Sequence, residues 1–362
     1  MAFKANKREW NELYVFLRLL AEGKLHLGNH RGELNERSFW PIAVIEREDH
    51  DGTRRYYIED DMVRVEGTGD YIKLHRAALA AIADKVLDLI KSSNEVNIEA
   101  PQDIEKFLET ADIFYLEPET QDRTDIKIGF WSAHKVPTGF SIHSKLAPMY
   151  PLLDGGRAAN LKMELTGNKK FAQPEIQNIN ALETADTVRD RILLIEELGG
   201  VLKYSDVADR VFRCNLSMID LHFARILAEM VRVFHLEGKP RIYEVMNAIK
   251  KSNPVKIKED LIQKHRFYEY KMKQFLMAAV CGMRPAKIYN GEDSAVEGML
   301  IVNGDGSVIG YHKDERKIFE DFLYLNTRLL KGSLEKDKYG FLEREHGVYY
   351  FKLNVKIGLT KR

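Results

Sequence analysis

Residues 124–165 read TDIKIGFWSAHKVPTGFSIHSKLAPMYPLLDGGRAANLKMEL. Asp125 heads a short apolar run that ends at Phe130, and a turn-rich connector with Pro137 and Gly139 leads into a second run, Gly139 to Lys145. Two such runs separated by Gly and Pro predict a hairpin or a pair of neighbouring strands. Strand side chains alternate, so Asp125 and Lys127 fall on one face of the first strand, and Ser141, His143 and Lys145 on one face of the second. A carboxylate, a hydroxyl, an imidazole and two ammonium groups can converge there. That set suits holding Mg²⁺ and a water against a phosphodiester. The plainer reading is that polar residues line a half-exposed sheet face, and a motif this short does not exclude it.

Other features of the chain narrow the classes of function. At 362 residues it can form two domains, or one with insertions, and 44% hydrophobic residues are enough for a core. Lys plus Arg and Asp plus Glu both number 55, so the formal charge is zero. This argues against a purely electrostatic nucleic-acid binder, although basic contacts can be confined to one cleft. Cys214 and Cys281 are isolated, which excludes a zinc ribbon and a disulfide framework; both are expected as buried core thiols in a reducing cytoplasm. The N-terminus has no signal-peptide apolar region, and no apolar run reaches ~18 residues, so a soluble intracellular protein is expected.

Taken in order, residues 7–22 place Trp10, Leu13, Tyr14, Leu17 and Leu20 on one helical face, with Gly23 as the stop. Asp51-Gly52 signals a hairpin between the runs 39–48 and 54–66, and helices are expected over 74–92 and 101–112. Residues 167–180 read as a loop. Helices follow over 188–198, 216–236, 240–251 and 257–280, and this helical block carries a basic and aromatic tract from Lys250 to Lys273. Asn303-Gly304-Asp305-Gly306 turns another hairpin, 316–325 is a helix, and Phe351 to Leu359 alternates as one strand. The glycine spacing of GDGSVIG does not fit a dinucleotide-binding turn.

The central pattern, D-I-x-I followed by G-F-S-I-H-S-x-L, resembles the PD-(D/E)XK nuclease core of type II restriction endonucleases. Two distant stretches extend that likeness: KREWNELYVFLRLLAEGKLHLGN at residues 7–29, and YHKDERKIFEDFLYLNTRLLKGS with KYGFLEREHGVYYFKLNVKIGL at 311–333 and 338–359. Together, in this order, they resemble the HpaII restriction endonuclease family. The resemblance implies a mixed α/β fold (α+β in parts): a nuclease core over 1–180 with an inserted hairpin, a helical region over 181–290, and a β-rich recognition part over 291–362. It implies Mg²⁺-dependent cleavage of a short, palindromic duplex site, CCGG among the candidates, leaving a 5′-phosphate and a 3′-hydroxyl. A homodimer and a cognate DNA methyltransferase are the partners it implies, with no membrane.

On that resemblance Asp125 is the metal-bridging ligand, the Ile142 carbonyl a second, and Glu164 or Glu12 the second carboxylate. Ser141 stands where a carboxylate is usual, paired with a Glu recruited from farther along. His143 stands where the family pattern has a lysine; His143, Lys145 and Lys127 all remain open for its role. DNA contacts are expected from Asn326, Thr327, Arg328, Ser333, Lys336 and Lys338. The competing readings are a DNA-binding module with a disabled core, sensing site or methylation, and an unrelated enzyme with a small-molecule pocket in its helical middle.

Overall fold

A 16-residue helix, Lys7–Glu22 (α1), is set by its caps as much as by its apolar face. The Asn6 side chain accepts from the amides of Arg8 and Glu9, and Glu9 accepts from the Asn6 amide, which closes a capping box. Gly23, left-handed at φ 63°, ends it. Trp10, Leu13, Tyr14, Leu17 and Leu20 are all buried as the spacing predicts, each contributing about 1.5–3 kcal/mol of transfer free energy. Asn11 and Glu12 are buried as well, so the helix is covered on more than its apolar stripe.

The computed structural model describes residues 3–49, 52–67, 69, 71–113, 124–131, 136–291 and 295–360. It is a mixed α/β structure with twelve α-helices and four sheets among those residues. The chain divides into two compact units, one of residues 3–150 with 295–322, the other of 151–291 with 323–360. This division does not coincide with expected boundaries at 180 and 290. The hairpin after residue 295 returns to the first unit because it adds strands to that unit's sheet.

The first unit holds a nine-stranded sheet. Its strands are β1 (Lys24–Gly28), β2 (Leu34–Asp49), β3 (Gly52–Glu59), β4 (Met62–Glu66), β5 (Ile72–His75), β6 (Ile126–Phe130), β7 (Thr138–Ser144), β8 (Val296–Val302) and β9 (Val308–His312). The hydrogen-bonded order is β1-β9-β8-β7-β6-β2-β3-β4-β5. Because β2 also pairs with β1, the path from β1 through β9, β8, β7, β6 and β2 returns to β1. The expected hairpin at Asp51-Gly52 is present as the β2–β3 pairing, Asp49 opposite Gly52; Asp51 itself lies outside the described residues. The β8–β9 hairpin forms around Asn303–Gly306 as the turn residues predict. The helix Arg76–Ser92 (α2) packs on α1, and Gln102–Thr110 follows it.

The second unit has a four-stranded antiparallel sheet in the order Gly200–Val207, Asn160–Gly167, Val348–Asn354, Leu342–Glu345. Several expectations for it are corrected. Residues 173–181 form a helix where a loop is expected, with Pro174 in its first turn and Glu175 accepting from the Ala172 amide. The helix expected over 216–236 is two, Arg210–Ile219 and Phe223–Glu237, because the Asp220 carboxylate accepts from the His222 amide and turns the chain between them. Likewise 257–280 divides into Glu259–Gln263 and Phe267–Val280, with Arg266 left-handed at φ 49°. The C-terminal strand breaks at Val355, whose amide donates to the Ala159 carbonyl, and Lys356–Leu359 joins a different sheet. Cys214 is exposed and Cys281 half-buried rather than core thiols, since the helix Arg210–Ile219 buries Phe212, Asn215 and Leu216 and turns position 214 outward. Among the described residues no helix is long and apolar enough to cross a membrane.

Two consequences are measurable. A Cβ at Gly139 would lie 2.2 Å from the Ala295 carbonyl oxygen, backbone that cannot yield cheaply, so Gly139→Ala is expected to cost about 1–3 kcal/mol in urea unfolding. In the second unit His235 is buried; that burial and the nearby Lys331 charge push its pKa down to about 4. The unfolded chain therefore binds the extra proton between about pH 6.5 and 4, and stability falls across that window as pH is lowered, by at most about 3 kcal/mol. Thermal melts from pH 7 to 4 should show this loss in the native protein, and a smaller one in His235→Phe.

Candidate active site

Asp125 lies one residue ahead of β6, just where the β6–β7 ladder ends. Ile126 faces Phe140, Lys127 faces Gly139, and the Asp125 amide donates to the Phe140 carbonyl at 2.9 Å. One step farther the Asp125 carboxylate accepts from Ile142 N at 2.7 Å. A strand residue directs its N–H and C=O to the same edge, so the Ile142 carbonyl also faces the Asp125 side. The expected hairpin and the face assignment are therefore as the alternation predicts: Phe140, Ile142 and Ser144 are buried, and Ser141, His143 and Lys145 are half-exposed.

Helix α1 brings the other groups. Arg8 donates from Nε to Glu12 at 2.7 Å and from its Nη2 to Asp125 at 3.2 Å, and its guanidinium carbon lies 4.7 Å from the centre of the Tyr150 ring. Partial burial works against the Arg8 charge, but the Glu12 and Asp125 carboxylates more than offset it, and the guanidinium stays protonated. Asn11, one residue before Glu12, accepts from the Ser144 hydroxyl at 2.6 Å, and that hydroxyl in turn accepts from the Leu146 amide. This buried bond ties α1 to the end of β7. Although part of the His143 residue reaches solvent, loss of water around its ring, and then the Arg8 charge, push its pKa down to about 4, so its imidazole is neutral at pH 7.

The two other candidates for the lysine role each have a partner in the first unit. Lys127 donates to Glu48 at 2.7 Å and Lys145 to Asn303 at 2.6 Å. Glu164 belongs to the second unit, on Asn160–Gly167, opposite Lys203 and Tyr350.

Comparison with known proteins bears on what such an arrangement is for. The model of the HpaII restriction endonuclease family matches residues 6–359. The chain belongs to that family. Over 98% of its own length and 98% of the relative's, it is 29% identical to the type II restriction enzyme HpaII of Haemophilus parainfluenzae. No solved structure matches it.

For this HpaII-family chain, the candidate recognition residues lie in the second unit and are not equally accessible. Thr327 is fully buried and donates to the Leu323 carbonyl at 2.6 Å; Asn326 is buried, its carbonyl accepting from the Thr360 amide at 2.8 Å. Both residues are therefore buried in this conformation. Arg328 is half-buried, with no hydrogen-bond partner for its Nε among the described residues. Ser333 caps the short helix Leu334–Asp337, and Lys336 and Lys338 are exposed. In the basic tract, Lys250 and Lys273 pair with Glu269 and Lys271 with Asp220, while Lys251, Lys256, Lys258 and Arg266 are exposed.

Sequence reading missed Arg8 and Asn11. Arg8 was legible in one respect, since it stands four residues before Glu12 on one helix face; nothing in the sequence says that Asn11 meets Ser144. Asn11→Ala removes the acceptor of a buried hydroxyl and is expected to cost about 1–3 kcal/mol in urea unfolding, with Asn11→Ala/Ser144→Ala recovering part of it. A single variant as stable as the native protein would show that this bond does not tie the helix to the strand.

Proposed function

We propose that the chain is a Mg²⁺-dependent endonuclease that hydrolyses both strands of duplex DNA at a short palindromic site, CCGG being the first to test. The reading rests chiefly on Asp125, whose carboxylate is oriented by the Ile142 amide in a chain that belongs to a restriction endonuclease family. The segment Ser141-Ile142-His143 then takes the place of the (D/E)XK element of a PD-(D/E)XK core, with serine and histidine in the two signature positions.

The donor set suits the ion. Among the described residues no three His, Cys, Asp or Glu side chains converge, which speaks against a closed, all-protein metal cage. Mg²⁺ instead takes one or two carboxylates and completes its shell with water and substrate phosphate. Asp125 and the Ile142 carbonyl would hold it, and Glu12 is assigned the second carboxylate in preference to Glu164, because Glu12 and Asp125 share the Arg8 guanidinium. When bound, Mg²⁺ supplies a Lewis acid that offsets charge on the scissile phosphate and lowers the pKa of a coordinated water.

The protein's own groups do the rest. The neutral imidazole of His143 orients the attacking water and accepts its proton, the role that a lysine has in the family pattern. Ser141, on the same face, hydrogen-bonds water or phosphate oxygen. Water adds at phosphorus, the bond to the 3′ oxygen breaks, that oxygen takes a proton from solvent water, and the products carry a 5′-phosphate and a 3′-hydroxyl. Exposed Ser333, Lys336 and Lys338 contact the DNA from the second unit, together with Arg328. A methyltransferase of the same specificity and a homodimer are the partners this function calls for.

One observation favours a second reading. Histidine at the lysine position makes a disabled core that still binds DNA a coherent alternative. Digestion of long unmethylated duplex DNA, with and without Mg²⁺, beside Asp125→Ala, followed by end sequencing, separates them. Discrete Mg²⁺-dependent fragments are expected, with a loss of at least about a hundredfold in Asp125→Ala. DNA binding without cleavage at any metal or pH would sink the endonuclease reading in favour of the binding module.

A further inference from the structure

A side-chain cation, Arg8, pairs with both carboxylates. Arg8 is anchored in the first turn of α1, where the Asn6 capping box fixes the backbone, and its guanidinium forks from Glu12 to Asp125. These are two of the oxygen donors that the proposed function assigns to Mg²⁺. Arg8 is also 40% exposed, and its guanidinium packs on Tyr150, which is 59% exposed, so it is accessible to a ligand from solvent. Arginine never deprotonates here, and its planar fork pairs with phosphate as readily as with carboxylate.

We propose that Arg8 is a built-in competitor of divalent metal: its guanidinium holds Glu12 and Asp125 in the DNA-free protein and transfers to a DNA phosphate on binding, which removes its competing charge from both carboxylates. The inference rests on the endonuclease reading and adds an order of events to it. An arginine fixed on two carboxylates raises the free-energy cost of loading metal before substrate, because the ion must displace a like charge already paired there. A phosphodiester offers the same guanidinium an equivalent anionic partner. The site thereby couples metal affinity to DNA through one side chain, and the coupling is reciprocal.

The test reads binding rather than turnover. Mn²⁺ binding to DNA-free protein is measured by electron paramagnetic resonance for the native protein, Arg8→Ala, Arg8→Lys and Asp125→Ala. Arg8→Ala is expected to bind Mn²⁺ about tenfold more tightly, Arg8→Lys to fall between it and the native protein, and Asp125→Ala to lose the site. Arg8→Lys keeps a cation and leaves the cap intact, so the comparison holds even where the alanine variant folds poorly. In EDTA, duplex DNA binding by Arg8→Ala should be weaker, with the log–log salt slope smaller by about 0.9. Mn²⁺ affinity unchanged or weakened in both Arg8 variants, with the site still lost in Asp125→Ala, overturns the proposal and leaves the endonuclease reading standing. An unchanged salt slope overturns the transfer to phosphate. No Asp125-dependent Mn²⁺ site in any of the DNA-free proteins, Arg8→Ala included, also overturns the proposal, while the endonuclease reading is decided separately by the DNA digestion.

Discussion

The hydrogen bond from the Ile142 amide to the Asp125 carboxylate is the constraint on which the site depends. A main-chain N–H at the end of a ladder needs an acceptor, and a charged one contributes about 1.5–3 kcal/mol net. By taking that position Asp125 is fixed in orientation by the sheet itself rather than by a flexible loop. The same strand geometry directs the Ile142 carbonyl to the same edge. A site built in this way inherits the rigidity of β7, which lies between β6 and β8 in the interior of the nine-stranded sheet.

Helix α1 has a second role beyond filling the core. Its apolar face buries Trp10, Leu13 and Leu17, and its opposite side presents Arg8, Asn11 and Glu12 to the strand ends. Asn6, through the capping box, sets where the first turn begins and therefore where Arg8 lies. A shift of one residue at the cap would rotate Arg8 by about 100° and break its fork. Fold stability and site geometry thus share one element, so the helix is conformationally fixed twice over.

Much of this was legible in the sequence. The alternation in IKIGF and TGFSIHS determined which residues share a face, because the period of a strand is two whatever it packs against. The spacing of Trp10, Leu13, Tyr14, Leu17 and Leu20 determined the helix, and Asn303–Gly306 the later hairpin. Where the reading failed, a local interaction overrode an apolar pattern. The Asp220 carboxylate interrupted an apolar run that is periodic on both sides of it, and the pull of two sheets on either side of Val355 divided a strand whose alternation continues without a break. Thr327 and Asn326 are offered to DNA by the family resemblance, yet both are buried in the fold, and the Thr327 hydroxyl donates to the Leu323 carbonyl.

By itself the sequence determined the family, the hairpin that carries Asp125, and the residue types on each face, since motif order and side-chain period are one-dimensional properties. Only the tertiary structure decided which charges meet. That Arg8 reaches across 117 positions to Asp125, that Lys127 and Lys145 are held by Glu48 and Asn303, and that Asn11 receives the Ser144 hydroxyl all follow from how α1 and the strands pack. Contacts of this kind depend on distances of a few ångströms between segments far apart in the chain, and no local pattern encodes such distances.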